Sequence, residues 1–404
     1  MKKTLMTFAS ESIVPQEKLY IKEEKNSFLT IGIPKENGEF ERRVPLTPES
    51  VKILTSMGHK IFIEKGVGEY VFYSDLAYSE AGALVCEDIA EIWQCDIVIK
   101  IAPPSANEVK MMKNKSTFLS FLQLSMFSKE ALEKITEKRI NAVSLELISD
   151  SQNKHSIINS ILEIEGKTAI VLAAELLTNT NGGKGILLGG CPGVTPTEIV
   201  IIGAGRAGRE AARTADALGA LVKVFDNNID LLREIQTFVS PSTFTSTLHP
   251  NVLINAFKSA DIVIGTLRFE NGEKKFIVSE DMIANMKKGA LIIDLSIDQG
   301  GCFETSVCPD SMKETLYEQC GVIHYCIPNI SSRVARTTSI ALSNHCLPLL
   351  IKIADSGNIN DHMRKERNFR NGVYIYNGKI VNKFVGEHFN LPWSDIMLFL
   401  APFQ

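Results

Sequence analysis

The run Ile199-Val200-Ile201-Ile202-Gly203-Ala204-Gly205-Arg206-Ala207-Gly208 constrains this chain more than any other segment. Three glycines spaced G-x-G-x-x-G say little alone. Here they follow four β-branched residues and open an alanine-rich stretch containing Ala207, Ala211, Ala212 and Ala215. A strand that turns through glycine into a helix is the setting a dinucleotide-binding turn requires. Gly203 permits the tight turn, Gly205 leaves room for backbone to approach a pyrophosphate, and Gly208 lets helix and strand pack closely. The helix N-terminus offers N–H groups and the positive end of its dipole to the phosphates. Asp226 stands 18 residues beyond Gly208, at the end of the next apolar run. A carboxylate there accepts hydrogen bonds from ribose hydroxyls and repels a 2′-phosphate, which favours NAD over NADP. The competing readings are a glycine turn without ligand and a solvated aspartate at a strand end.

A chain of 404 residues exceeds one ordinary core, and at about 150 residues per domain two or three are expected. Hydrophobic residues make up 45% and charged residues 22%, which excludes disordered and low-complexity classes. Lys+Arg 43 against Asp+Glu 47 gives a net charge of -4, so nothing global draws the chain to nucleic acid or an anionic membrane. The apolar runs are of strand length, short of the ~20 residues that span a bilayer. Ser10, Glu11 and Ser12 interrupt what would be the apolar region of a secretory signal. The eight cysteines form no C-x-x-C pair, so no metal site is expected, and buried free thiols in a reducing cytoplasm are the preferred reading.

Residues 1–28 read as a polar N-terminal extension. Strands are expected at Phe28–Ile33, Lys60–Glu64, Asp96–Ile101, Thr117–Leu122 and Ile140–Leu147, with a helix over Val51–Met57 behind Thr47-Pro48-Glu49. This alternation argues a parallel α/β sheet. A long helix follows over Glu163–Leu177, then a glycine-dense loop from Asn181 to Gly193. Gly185 follows Lys184 where a phosphate-binding P-loop needs Ser or Thr, which rejects that motif. A second α/β series has strands at Ile199–Ile202, Val222–Phe225, Ile262–Ile264 and Leu291–Leu295. A helix over Glu280–Lys288 is signalled by Ser279 as its cap and by Lys287-Lys288-Gly289 at its end. A long apolar helix is expected over Val334–Ala354.

Four segments, in order, resemble the alanine dehydrogenases and the related nicotinamide nucleotide transhydrogenase subunit. They are Ile31-Gly32-Ile33-Pro34-Lys35-Glu36 with Arg42-Arg43-Val44-Pro45-Leu46-Thr47-Pro48, Gly203–Gly208, Ile297-Asp298-Gln299-Gly300-Gly301-Cys302-Phe303-Glu304, and His324-Tyr325-Cys326-Ile327-Pro328-Asn329. The likeness spans roughly residues 29–395. It implies two Rossmann-like α/β domains: an NAD-binding domain at 161–333 inserted into a discontinuous substrate domain at 29–160 and 334–404, with the active site in the cleft between them. It also implies a reversible reaction in which L-alanine, NAD and water give pyruvate, ammonia and NADH, and a homo-oligomer, commonly a hexamer. By the same resemblance Arg43 matches the arginine that holds the substrate carboxylate, for which a planar guanidinium is suited. Asp298 matches the catalytic aspartate, placed to orient or deprotonate water and to handle the amine. Arg206 and Ala207 lie in the pyrophosphate turn, and Leu267, Leu295, Ser296 and Asn329 match residues near the nicotinamide.

Two departures bear on chemistry. The family lysine that binds the keto acid is replaced by Ala102, while Lys100 lies two residues earlier on the same strand face, from which its longer reach is a candidate substitute. The family histidine is replaced by Gln123 in Leu122-Gln123-Leu124, and an amide hydrogen-bonds but carries no proton. A lesser family serine is Leu162 here. His155 and His324 are the other histidines that could approach the cleft, each more often structural than catalytic. The expectation is an active variant dehydrogenase using Asp298 with Gln123. A transhydrogenase-like NAD-binding subunit and a non-catalytic NAD-binding regulator are the alternatives. Ala102 and Gln123 fit the first, but Asp298, the Gly300-Gly301-Cys302-Phe303-Glu304 run and the lack of a membrane-length apolar run argue against it; Arg43 and Asp298, neither needed to hold a dinucleotide, argue against the second.

Overall fold

A computed structural model describes residues 28–37, 39–124, 127–150, 152–268, 276–309 and 315–400. Apart from Phe28, the expected extension over 1–28 lies outside them. Short apolar runs, buried on both faces, build two sheets, as parallel strands covered by helices require.

The first sheet has eight strands among the described residues. Their order is Lys379–Ile380, Val373–Tyr376, Asn141–Ser144, Thr117–Ser120, Ile97–Ile99, Thr30–Ile33, Lys60–Glu64 and Leu84–Cys86. The six from the N-terminal half run parallel. Val373–Tyr376 joins Asn141–Ser144 antiparallel. Both ends of the chain therefore share one sheet, and the other sheet is built between them. That second sheet has the order Tyr317–Gln319, Val322–Tyr325, Leu291–Asp294, Ile262–Gly265, Glu198–Ile202, Leu221–Phe225 and Phe244–Ser246. The fold is α/β, with a Rossmann-like domain inserted into a discontinuous one.

Strand order reverses once in each sheet. In the first, the chain runs outward from Thr30–Ile33 to Leu84–Cys86, then places Ile97–Ile99 on the other flank. In the second, it runs from Glu198–Ile202 to Phe244–Ser246, then places Ile262–Gly265 on the other flank. Helices starting on opposite faces leave a crevice at the carboxyl ends of such neighbours, where ligands of open α/β sheets bind.

The helix Ser156–Leu176 links the two cores. It starts seven residues before the expected Glu163. Ile157 and Ile161 pack in the core of the first sheet, and Ala169 to Leu176 in that of the second. Between these ends, Gly166 crosses the helix Arg206–Ala217. A Cβ on Gly166 would meet the Ala207 carbonyl oxygen at 2.2 Å, so the crossing tolerates only hydrogen there. The helix Ala335–Asp355 carries the chain back, burying Leu342, Cys346, Leu350 and Ile353 in the first core. Among the described residues no helix is long and apolar enough to cross a membrane.

Several expected elements are shorter. The strand expected over Asp96–Ile101 spans Ile97–Ile99, and that expected over Ile140–Leu147 ends at Ser144 in a 3₁₀ turn. The helix expected over Glu280–Lys288 stops at Ile283. Its first N–H is satisfied by the Glu304 carboxylate, at 2.8 Å from Glu280 N, and not by Ser279. Gly289, at φ +68°, then turns the chain into the strand Leu291–Asp294. Leu84–Cys86, Phe244–Ser246, Tyr317–Gln319, Val322–Tyr325, Val373–Tyr376 and Lys379–Ile380 escaped the sequence reading.

The crossing at Gly166 generates a prediction with a sign. Gly→Ala in a helix ordinarily gains about 1 kcal/mol of helix propensity. At position 166 the clash with Ala207 should outweigh this, giving Gly166→Ala a net loss of about 1–3 kcal/mol in urea denaturation. A more stable variant would contradict the crossing.

Candidate active site

The cofactor turn is built by close packing. Gly203 has φ +110°, and a Cβ there would lie 2.6 Å from the Thr266 hydroxyl oxygen. That hydroxyl donates to the carbonyls of Ile202 and Gly203, at 3.1 and 2.9 Å, and so closes the switch point. A Cβ on Gly208 would lie 1.9 Å from the Gly203 carbonyl oxygen. A Cβ on Gly205 would meet nothing within 4 Å, so this glycine faces open space at the start of the helix Arg206–Ala217. Asp226 accepts from the Ala204 N–H at 2.7 Å and the Asn228 N–H at 2.8 Å. It thereby ties the turn to the end of the strand Leu221–Phe225. Arg206 lies 3.6 Å from Glu163, and Ala207 is buried under the crossing helix.

The neighbouring strand ends are fastened to each other. The Leu295 N–H donates to the Gly265 carbonyl at 2.8 Å, and the Ser296 hydroxyl donates to the Leu267 carbonyl at 2.5 Å. Asn329 is in the left-handed region at φ +55°, and its carbonyl accepts from the Ser332 N–H at 2.7 Å. An open glycine at a helix start, a carboxylate at the second strand end and a tied pair of strand ends fit a dinucleotide.

Asp298 projects from a 3₁₀ turn, Ile297–Gln299, just past the strand Leu291–Asp294. Gly300 and Gly301 follow at φ +104° and +87°, a conformation that favours glycine. Asp294 anchors this loop. Its carboxylate accepts from the Ser296 N–H at 2.9 Å, the Cys302 N–H at 2.8 Å and the Ser306 hydroxyl at 2.6 Å. Burial nevertheless pushes its carboxyl up to about 6.

Gln123 reaches Asp298 from the other sheet, past the end of the strand Thr117–Ser120. Its amide donates to Asp298 Oδ2 at 3.4 Å, so the two domains meet at this carboxylate. The Arg268 guanidinium lies 4.0 Å from the same oxygen. Burial raises the Asp298 carboxyl, and Arg268 opposes that shift. Glu146 and Glu165 complete a cluster. Burial raises the Glu146 carboxyl, with Arg268 opposing and Asp298 adding to it. The Glu165 carboxyl is pushed up to about 7, first by burial and then by Asp298, against Arg268 and Arg43.

Arg43 is 4% exposed and already engaged. Its Nε and Nη2 donate to the two oxygens of Glu41 at 2.7 and 2.5 Å. Nη1 donates to the Ser331 hydroxyl at 2.9 Å, and that hydroxyl donates to Glu165 at 3.1 Å. Lys100 is 1% exposed, with Nζ at 2.6 Å from Glu108 and 3.8 Å from Glu36. Glu36 accepts from the Ile101 N–H at 2.6 Å and the Ala102 N–H at 3.4 Å, across the switch point of the first sheet. Lys100 is thus held between Glu108 and Glu36. His324 is fully buried, bonded to Thr305 at 2.7 Å and stacked on Tyr317, a structural histidine.

Glu36, Glu41, Glu146, Glu165, Arg268 and Asp294 went unnoticed in the sequence. Glu36, Glu146, Arg268 and Asp294 had one usable signal: each is an ionisable residue at or just past the carboxyl end of a strand. Glu41 and Glu165 had none. Among the described residues no group of three or more His, Cys, Asp or Glu is placed to hold a metal ion.

Comparison with known proteins agrees with this geometry. Residues 32–164 match the N-terminal domain of the alanine dehydrogenase/PNT family, and residues 169–383 match its C-terminal domain. An alanine dehydrogenase of Staphylococcus saprophyticus is 34% identical over 369 residues, covering 91% of this chain and 99% of that protein. Alanine dehydrogenase 2 of Staphylococcus aureus is 32% identical over 368 residues, covering 91% and 98%. A solved L-alanine dehydrogenase has a TM-score of 0.83 at 30% identity, covering 90% of this chain and 99% of that one. A transhydrogenase from Sinorhizobium meliloti has a TM-score of 0.72 at 22% identity, covering 88% and 99%, a likeness of fold alone. With both of its domains matched in tandem and a relative aligned along nearly its whole length, this chain belongs to the alanine dehydrogenase/PNT family.

Proposed function

We propose that this protein is an NAD-dependent dehydrogenase that reversibly deaminates L-alanine to pyruvate and ammonia. One observation carries the reading: Asp298, a buried carboxylate beside the cofactor turn, is bonded across the cleft to Gln123 of the other domain. Mere dinucleotide binding has no use for that contact. In this reading 161–333 is the cofactor domain, and 29–160 with 334–404 is the substrate domain.

Gly203, Gly205, Arg206, Ala207 and Gly208 would hold the pyrophosphate, Asp226 the ribose hydroxyls, and Leu267, Leu295, Ser296 and Asn329 the nicotinamide end. Bound there, the nucleotide supplies the hydride acceptor. Asp226 has lone pairs beyond its two backbone contacts and would repel a 2′-phosphate, which supports NAD. During deamination Asp298 takes one proton from the substrate ammonium and releases it to solvent, then takes one from the attacking water and gives it to the departing amine; the reverse reaction retraces these transfers. Gln123 orients Asp298 and, as a donor, favours its ionised form. Arg43 keeps one N–H on each terminal nitrogen beyond those engaged, available to a substrate carboxylate. Free cysteines support a reducing, cytoplasmic setting, and the family supports a homo-oligomer, commonly a hexamer.

Asp298→Asn should lower L-alanine-dependent NADH production about 10²–10⁴-fold in steady-state assays, while NADH still binds. Undiminished turnover would remove Asp298 from the chemistry. Burial raises the Asp298 carboxyl, and deamination needs it ionised. The kcat/KM for alanine should therefore fall as pH drops through that raised value. Gln123→Leu removes a donor to the ionised form, so it should move this limb to higher pH. A limb that stays in place would exclude Gln123 as the orienting group. Asp226→Ala should shrink the NAD-over-NADP ratio of kcat/KM by about tenfold or more. An unchanged ratio would undo the cofactor preference.

A further inference from the structure

We propose that Ser331 is a positioning residue for substrate binding: it ties the Arg43 guanidinium to Glu165 and so presets the grip on the substrate carboxylate. This role rests on the dehydrogenase reading, in which Arg43 takes that carboxylate.

Residues 39–47, which carry Arg43, form neither strand nor helix, so their N–H groups need partners from elsewhere. The segment that returns the chain to the first sheet supplies them as hydroxyls. Ser332 accepts from the Arg42 N–H, Ser339 from the Val44 N–H and Ser343 from the Thr47 N–H, each at 2.9 Å. Ser331 belongs to the same row, but its partner is a side chain: Arg43 Nη1, at 2.9 Å. Ser331 is fully buried in the 3₁₀ turn Ile330–Val334 and is itself held at two points. Its carbonyl accepts from the Thr338 hydroxyl at 2.8 Å, and its own hydroxyl donates to Glu165 Oε1 at 3.1 Å.

Glu41 makes the other two contacts on the guanidinium, through Nε and Nη2. That pairing fixes the guanidinium plane, but Glu41 is two residues away and moves with the same loop. Among the described residues, Ser331 is the one hydrogen-bond partner of the Arg43 side chain from outside that loop. It therefore sets where the guanidinium stands relative to the rest of the cleft. A hydroxyl has one proton. Given to Glu165, it leaves the lone pairs of Ser331 to Arg43, which has only protons to offer. Glu165 in turn precedes Gly166, where the helices cross too closely for a Cβ, so the chain of bonds ends on a fixed point. Ser331 takes one N–H of Nη1, and one remains on each terminal nitrogen for a substrate carboxylate. A guanidinium already held in place does not have to be ordered by the substrate, and that preorganisation appears as affinity.

The test compares wild type with Ser331→Ala and Ser331→Cys. Cysteine keeps the volume of the side chain but hydrogen-bonds weakly, which separates the bond from the packing. NADH affinity, followed by fluorescence, reports that each variant is folded. Oxamate, a 2-oxo acid isostere, reads the carboxylate grip without turnover. Its Kd for the NADH complex should rise about tenfold in both variants. KM for alanine and pyruvate should rise in step, while kcat, KM for ammonia and the NADH Kd stay within about twofold of wild type. Wild-type oxamate affinity in Ser331→Cys would overturn the role of Ser331, because any loss in Ser331→Ala would then come from packing. A wild-type NADH complex that binds no oxamate would overturn it as well. A wild type that binds oxamate with NADH but turns over neither alanine nor pyruvate would overturn the alanine reading alone, and the oxamate comparison would still decide the role of Ser331.

Discussion

Where the helix Ser156–Leu176 crosses the helix Arg206–Ala217, Gly166 leaves no side chain between them. The Ala207 carbonyl oxygen fills the place a Cβ would take, 2.2 Å from it. One end of the long helix is embedded in the core of the first sheet and the other in that of the second. The crossing therefore sets how the cofactor turn stands against the substrate domain. It also places Glu165, the residue before Gly166, among Asp298, Arg268 and Arg43. A closely packed interior transmits such a constraint because it has no slack to absorb it.

The site that results is crowded with charge. Glu36, Glu41 and Arg43 are each less than 10% exposed, and Lys100 is 1% exposed. Burying charges is costly unless each finds partners, and here most do. Glu41 takes Arg43, Lys100 takes Glu108, and Glu36 takes two backbone N–H groups. The Asp298 group is different in kind. Burial raises the carboxyls of Asp298, Glu146 and Glu165, with Arg268 opposing the shift at all three and Arg43 also opposing it at Glu165. Such a cluster is suited to a ligand bearing its own positive charge, and it is the arrangement an acid–base site uses.

The cofactor half was legible in the sequence because its constraints are local. Gly203 and Gly208 are dictated by contacts within the same strand–turn–helix unit, so their spacing carries the geometry. The strand Lys60–Glu64 fell where its alternation placed it, while Thr117–Leu122 was trimmed to Thr117–Ser120. The substrate half was less legible because its contacts join distant segments. Gln123 and Asp298 lie 175 positions apart, and Arg43 and Ser331 lie 288 apart. The two-residue alternation of a strand put Lys100 on the same face as Ala102, but could not reveal Glu36 and Glu108 waiting there. The helix after Ser279 was misjudged for a similar reason: its cap comes from Glu304, on the far side of the loop that follows the next strand.

A cleft that presents Gln123 and Ala102, with Asp298 as its proton carrier, should still carry out the complete reaction. Product stoichiometry with the wild-type protein tests it most directly. L-alanine and NAD should yield NADH, pyruvate and ammonium in equal amounts, and the three should be consumed together in reverse. A protein that binds NADH tightly but releases neither pyruvate nor ammonium from alanine would contradict the account.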